Sequence, residues 1–272
     1  MRAFSSSPKQ MILSLYLNRG LIRALIEREV VGRYRGSFLG ILWSFFNPIF
    51  MLAVYTFVFS FVFKARWNSG SDSKTEFALV LFAGLIMFNL FAECVSKAPS
   101  LILANANYVK KVVFPLEILP WVALGSALFH AAVSIIVWVS VYAILFGVPH
   151  VSILLLPMVI LPLAFLILGL TWALASLGVY LRDVSQFIGL IITVLMFLSP
   201  IFYPVEALPE EYRYLLNFNP LTPVIEMARS VMFWGQVPNV ISWSIYLLGS
   251  VVIACLGFAW FQKTRKGFGD VL

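Results

Sequence analysis

Glu93 and Lys97 stand four residues apart inside an apolar run. That spacing puts an acid and a base on one helix face, where each lowers the cost of burying the other. The pair reads first as structural, with control of an inner opening as its functional alternative. Glu117 begins the next apolar run beside Lys110 and Lys111, and a pairing with either lysine is expected. Arg182 and Asp183 are adjacent in the short stretch YLRDVSQ, placed to hold neighbouring helix ends or to meet a partner. His130 and His150 are single, and Cys94 and Cys255 lie inside apolar runs as small packing residues, so the spacing offers neither a metal cluster nor a disulfide. No GxxxxGK[ST], HExxH or GxSxG stretch occurs, and no acid pair lies deep in the runs for proton coupling. The sequence holds neither a reaction centre nor an energy source. Any work done through it must be driven by another molecule.

The elements that position these residues follow from composition. The chain has 272 residues, of which 61% are hydrophobic and 11% charged, with a mean hydropathy of +0.96. That leaves too little polar surface for a water-soluble domain. Several runs reach the roughly 20 apolar residues that cross a hydrocarbon core about 30 Å thick. A β-barrel would instead show alternating segments of about ten residues. The expectation is an all-α polytopic membrane protein forming one domain. It comprises a cytoplasmic and interfacial segment at 1–37, a bundle at 38–261 and a tail at 262–272. Six spans are predicted, at 38–63, 77–97, 117–146, 152–179, 186–203 and 240–261. The third and fourth are long enough to tilt, and the fifth is the weakest, being broken by Pro200 and Pro204. The net charge of +7 is read as cytoplasmic anchoring and not as nucleic-acid binding. With the N-terminus inside, fourteen of the nineteen Lys and Arg fall on inner segments. That places both termini in the cytoplasm. No internal repeat suggests an inverted-repeat carrier, and residues 11–17 are too short and too polar-broken for a cleaved signal.

Three amphipathic stretches do not fit a span. In 19–37, Ile22, Ile26, Val30 and Tyr34 form an apolar stripe widened by Leu21 and Leu25. Arg23, Glu27, Arg28, Arg33 and Arg35 occupy much of the rest, as in a helix lying in the membrane interface. It serves either as an anchor or as a docking surface. Gly32, Gly36 and Gly40 follow at a spacing of four, which permits close helix approach or simply loosens a turn. In 105–115, NANYVKKVVFP, the valines can face apolar surface while Lys110 and Lys111 face water or a partner. This is either an ordinary basic loop or a short transverse helix seated in a partner's groove. In 202–235, Pro209-Glu210-Glu211 and Thr222-Pro223 read as two helix starts, the threonine as a cap. These two helices are too apolar for water and too short to span, so a re-entrant external hairpin or a folded cap is expected. Tyr55, Phe59 and Phe63 share one face of the first span, and Trp43 and Trp67 bracket it. Lipid contact explains such rings, and the alternative is a lining on which the C–H faces of sugars slide.

These stretches together resemble the membrane subunit of bacterial ABC-2-type polysaccharide exporters, which move O-antigen, capsule and teichoic acid chains. The resemblance rests on EREVVGRYRGSFLGILWSFFNPIFMLAVYTFVF at 27–59, NANYVKKVVFPLEILP at 105–120, YLRDV at 180–184 and LSPIFYPVEALPEEYRYLLNFNPLTPVIEMAR at 198–229. It implies a non-enzymatic permease in the inner membrane, working as a homodimer with two copies of a separate ATPase that binds ATP and Mg. No cofactor is implied for this chain, and its cargo would be a lipid-linked polysaccharide, most simply O-antigen. Capsule, teichoic acid or a small lipid or drug are the alternatives within the fold, and an intramembrane glycan-modifying enzyme is the alternative outside it. By the same resemblance, Arg23, Glu27, Arg28, Asn107, Tyr108, Lys110, Lys111 and Phe114 dock the ATPase. Tyr55 and Phe59 line the glycan path, and an external gate holds Glu206, Tyr212, Pro220, Pro223 and Glu226. Arg33 and Arg35 would draw the head group by charge, and Arg182 and Asp183 form the inner loop. One departure is Leu116, where the family usually carries a basic residue.

Overall fold

The computed structural model describes residues 7–58, 74–109 and 114–272, and these are helical throughout with no strand among them. Phe59, Phe63, Trp67, Lys110 and Lys111 lie outside the described residues. Helix α1 (Pro8–Leu17) starts where Ser7 Oγ accepts the Gln10 amide at 3.3 Å, and α2 (Arg19–Tyr34) follows almost at once. Then come α3 (Trp43–Tyr55), α4 (Lys74–Lys97), the four-residue α5 (Ala106–Val109), α6 (Leu119–Phe146), α7 (Leu156–Tyr180) and α8 (Val184–Leu198). Two short helices, α9 (Glu210–Asn217) and α10 (Thr222–Met232), lead into α11 (Val240–Thr264) and α12 (Phe268–Val271).

Five helical stretches are long and apolar enough to cross a membrane: Gly40–Val58, Thr75–Ser100, Leu116–Phe146, Val151–Tyr180 and Val240–Val271. Helix α8 is shorter than the 186–203 expected of it. Its 15 residues extend roughly 22 Å at 1.5 Å per residue. It stops because Ser199, preceding Pro200, takes an extended backbone (φ −83°, ψ 147°), the conformation a following proline imposes.

Helix α4 is the most enclosed span and is flanked by α3, α6, α7, α8 and α10. The closest seam joins α7 to α11. There the backbones touch at Gly169 and Gly257, where a Cβ on either glycine would overlap main-chain atoms of the other helix. Small residues allow such approach where hydrocarbon gives no hydrophobic drive to association. Gly178 makes a similar contact with the carbonyl of Pro99, fixing the C-terminal end of α7 on the turn that follows α4.

The stripe on α2 packs on protein. Ile22 and Leu25 are buried against Ile118 and Val122, and Ile26 fills the space that a side chain at Gly125 would need. The glycines after it serve the turn. Gly36 and Gly40 have positive φ (86° and 52°), and no described residue beyond the adjoining chain lies within 4 Å of a Cβ added at Gly32, Gly36 or Gly40.

Candidate functional site

The end of the bundle expected from its basic residues to face the cytoplasm, the inner end, brings α2 and the segment after α4 together. Arg28 Nη1 donates to the Tyr108 hydroxyl at 2.9 Å. The Tyr108 ring stacks on Phe114 with centroids 4.1 Å apart and planes 10° from parallel. Beside this bridge lies a cavity of about 380 Å³ lined by Arg28, Glu29, Lys97 and Asn105. Arg23, Glu27 and Asn107 are exposed near it. Only the short α5 and a 3₁₀ turn at 103–105 represent the expected transverse helix among the described residues. Arg182 and Asp183 are also exposed, in the loop from α7 to α8, around a hollow of about 390 Å³ that Tyr180 and Phe187 share.

Glu93 is the centre of an ion network larger than its spacing implied. The expected pair with Lys97 is present at 3.1 Å, and Lys97 also reaches Glu29 at 3.1 Å. Arg33 Nη2 lies 2.5 Å from Glu93, and the ring of His130 sits 3.1 Å from the same carboxylate. Arg33, expected to draw an anionic head group, is thus already neutralised inside the chain, while Arg35 remains exposed. The network borders a polar-lined notch of about 480 Å³ between the spans, lined by Ser44, Asn47, Asn89, Ser134 and Met51. Exposed amides such as Asn47 and Asn89 within apolar spans are tolerable where a cavity holds water or a polar ligand. Asn47, Met51 and Tyr55 follow one another at a spacing of four on α3. Tyr55, half-buried, continues that face outward.

Glu117 takes a partner that the sequence reading did not name. It pairs with Arg265, 148 residues away, and Arg265 Nη2 also donates to the Phe114 carbonyl at 3.1 Å. Leu116, in the place of the family's basic residue, is simply buried.

At the opposite end, outer on the same reading, α9 begins after Pro209 as expected, with Glu210 and Glu211 in its first turn. The Thr222 side chain does not cap α10. It is the first helical residue, and its hydroxyl is buried with no hydrogen-bond partner. Asn219 does the work of ordering the entry, accepting the Leu221 amide at 2.9 Å and donating to Ser199 at 2.9 Å. Glu206, Tyr212 and Pro220 are exposed, while Pro223 and Glu226 are half-buried. Arg229, counted from sequence among the outer loop charges, is fully buried. Its guanidinium donates to the carbonyls of Pro200 (2.5 Å), Ile201 (2.7 Å) and Val80 (3.1 Å), and to Glu226 at 2.8 Å. Desolvation pushes the Glu226 carboxyl above its ordinary range, against the pull of Arg229. A signal for this existed: Arg229 lies on the same helix as Val224, Ile225, Ala228, Val231 and Met232, all apolar and all buried with it.

Long apolar helices, a charged surface at one end and a polar-lined notch between the spans are the features of a multi-pass membrane permease. The chain matches the family described as ABC-2 type transporter over residues 20–233. It belongs to that family as a multi-pass membrane permease subunit. It is 27% identical to the O-antigen export system permease protein RfbA of Myxococcus xanthus, covering 96% of this chain and 98% of that one. It is 26% identical to the RfbA of Klebsiella pneumoniae (93% and 95% covered). Similarity extends to the polysialic acid transport protein KpsM of Escherichia coli, at 25% identity with 90% and 93% covered.

Proposed function

We propose that this chain is half of a homodimeric, ATP-driven exporter that carries a lipid-linked polysaccharide, of the O-antigen type, across the cytoplasmic membrane. Residues 38–261 form six crossings, α8 with residues 199–203 making the fifth, and both termini face the cytoplasm. Two separate ATPase subunits, which hold the ATP and Mg, dock on Arg23, Glu27, Arg28 and the segment 105–114, including Lys110 and Lys111. Nucleotide closure moves that surface and opens the inner ends of the spans. Glycan passes the polar-lined notch and then Tyr55 and Phe59, and leaves past α9 and α10, the outer gate carrying Glu206, Tyr212, Pro220, Pro223 and Glu226. Arg35 supplies the free positive charge for the lipid head group, and Arg182 and Asp183 face the ATPase.

One observation carries the docking reading. The Arg28–Tyr108 hydrogen bond unites α2 with the segment after α4 in one exposed patch, so a partner touching either element moves both. The cargo rests on relatives that match this chain from end to end and are named for O-antigen export. Capsule export is the second reading, favoured by the match to KpsM. The test has two arms. Arg28→Glu combined with Tyr108→Phe should cut recovery of the co-purified ATPase at least fivefold, and full recovery would remove this patch from the interface. Deleting the chain should leave undecaprenyl-linked O-polysaccharide on the cytoplasmic side, measured by accessibility to an added glycosidase in inverted vesicles. Accumulation of a capsular glycan instead would favour the second reading, and no accumulation would overturn both.

A further inference from the structure

The joint where the 105–114 segment enters α6 is held by two helices that are remote in sequence. From α7, the fully buried Trp172 donates its indole N–H to the Glu117 carbonyl at 3.1 Å. From the inner end of α11, Arg265 pairs with the Glu117 carboxylate and donates to the Phe114 carbonyl. Both charged side chains are nearly buried, with 10% and 11% of their surfaces exposed. At the same end α11 is tied back to α7: the Ser176 and Thr264 hydroxyls are 2.6 Å apart, and the Tyr180 hydroxyl donates to the Thr264 carbonyl at 2.8 Å. The fully buried Phe268 wedges between Tyr180 and Phe261. Outward from this joint, α7 and α11 touch backbone to backbone at Gly169 and Gly257. Two helices in such contact cannot slide past each other without clash.

We propose that Arg265 is the positioning residue through which displacement of the 105–114 segment enters the spans, and that it drives α7 and α11 as one rigid block. This rests on the docking role proposed above for that segment. A planar guanidinium bonded at once to a carboxylate and to a main-chain carbonyl resists both pull and twist, which a single-point contact would not. Helix α3 packs on α6 and α4 and not on the α7–α11 seam's Gly169–Gly257 contact, and its Phe50 is 68% exposed, so α3 is the reference against which movement of the block is read.

The test uses the assembled permease–ATPase complex in nanodiscs, with Cys94→Ala and Cys255→Ala and nitroxides at Phe50→Cys on α3 and Leu248→Cys on α11. In the otherwise native complex, ATP with vanadate should shift the distance distribution between the labels. Arg265→Met should abolish that shift while the ATPase still co-purifies and hydrolyses ATP within about twofold of the native rate. Arg265→Lys, which keeps a donor, should restore at least half of the shift. If Arg265→Met fails to accumulate, Glu117→Gln supplies the same comparison, with a reduced shift expected. A full shift in Arg265→Met, or in its Glu117→Gln substitute, overturns the proposal, and so does the absence of any shift in the native complex. Loss of the ATPase from the native complex would instead overturn the docking reading.

Discussion

The two ends of α4 are each fastened by an arginine from another helix, but in opposite ways. At the outer end Arg229 has no exposure and three of its acceptors are main-chain carbonyls. Carbonyls at Pro200 and Ile201 cannot turn away without unfolding the turn that carries them. At the inner end Arg33, Lys97 and His130 converge on Glu93 with Glu29 beside them, and every partner is a side chain with 15% to 38% of its surface exposed. Side chains that share one carboxylate near water can exchange partners at small cost. The difference marks the Arg229 attachment as fixed and the Glu93 one as remakeable, the arrangement that the proposed opening from the cytoplasmic side requires.

The strongest way to break this contrast is Arg229→Met. It removes a fully buried cation and takes the donor from the carbonyls of Val80, Pro200 and Ile201, while Glu226, 37% exposed, can turn to solvent. Each buried acceptor left without its donor costs about 1–3 kcal/mol. The expected result is a large drop in thermal stability in detergent, with release of the 199–201 turn from α10. Arg229→Lys should recover only part of this, because an ammonium cannot fork to several acceptors. The close approach of Gly84 sharpens the point: a Cβ there would sit 3.1 Å from Arg229 Nη2 and 3.2 Å from Ile225, so the guanidinium needs that glycine. A stability loss below that of the inner-end variants would refute the contrast.

Glu93→Gln comes next. The amide keeps the shape but leaves Arg33, Lys97 and His130 without their shared anion. Because Arg33 and Lys97 are more than a third exposed, water takes up much of the lost interaction, and a cost of roughly 1–2 kcal/mol is expected. That loss should shrink at high salt, whereas the Arg229→Met loss should not. Melting curves of both variants at low and high ionic strength check this.

What the sequence made legible was whatever is local. Apolar run lengths located the long spans, the i,i+4 spacing found Glu93–Lys97, and Pro209-Glu210-Glu211 marked the start of α9. The polypeptide's remote ties left little trace. Nothing in the composition near Arg265 distinguishes it from a tail cation holding lipid, and its partner is 148 residues away. Arg33 read as a free interfacial charge because Glu93 and His130 lie on other helices. Arg229 was readable from its apolar neighbours, yet orientation counting treats every Lys and Arg between spans as exposed. Thr222 looked like a cap because Thr-Pro is a common helix start, but the helix begins one residue earlier, with Leu221 at the cap position and the Ile225 amide on its carbonyl. The α2 stripe had the right residues for a membrane surface. Only packing against Gly125 showed that protein covers it.

The smallest expected effect belongs to Lys97→Met. Lys97 holds Glu93 and Glu29 at 3.1 Å each, yet it is 35% exposed and Glu93 keeps Arg33 and His130 after the change. Exposed ion pairs contribute about 0–1 kcal/mol, so thermal stability should move little. If the inner network is built to be remade, export should be more sensitive than folding. The link from α4 through Lys97 to Glu29 on α2 borders the cavity beside Arg28, and its loss leaves Arg33–Glu93 as the ion pair between α2 and α4. The expected outcome is a near-native melting curve with altered ATP hydrolysis in the assembled complex. A melting loss as large as that of Arg229→Met would show that the inner network is as fixed as the outer one and would dissolve the distinction between the two ends.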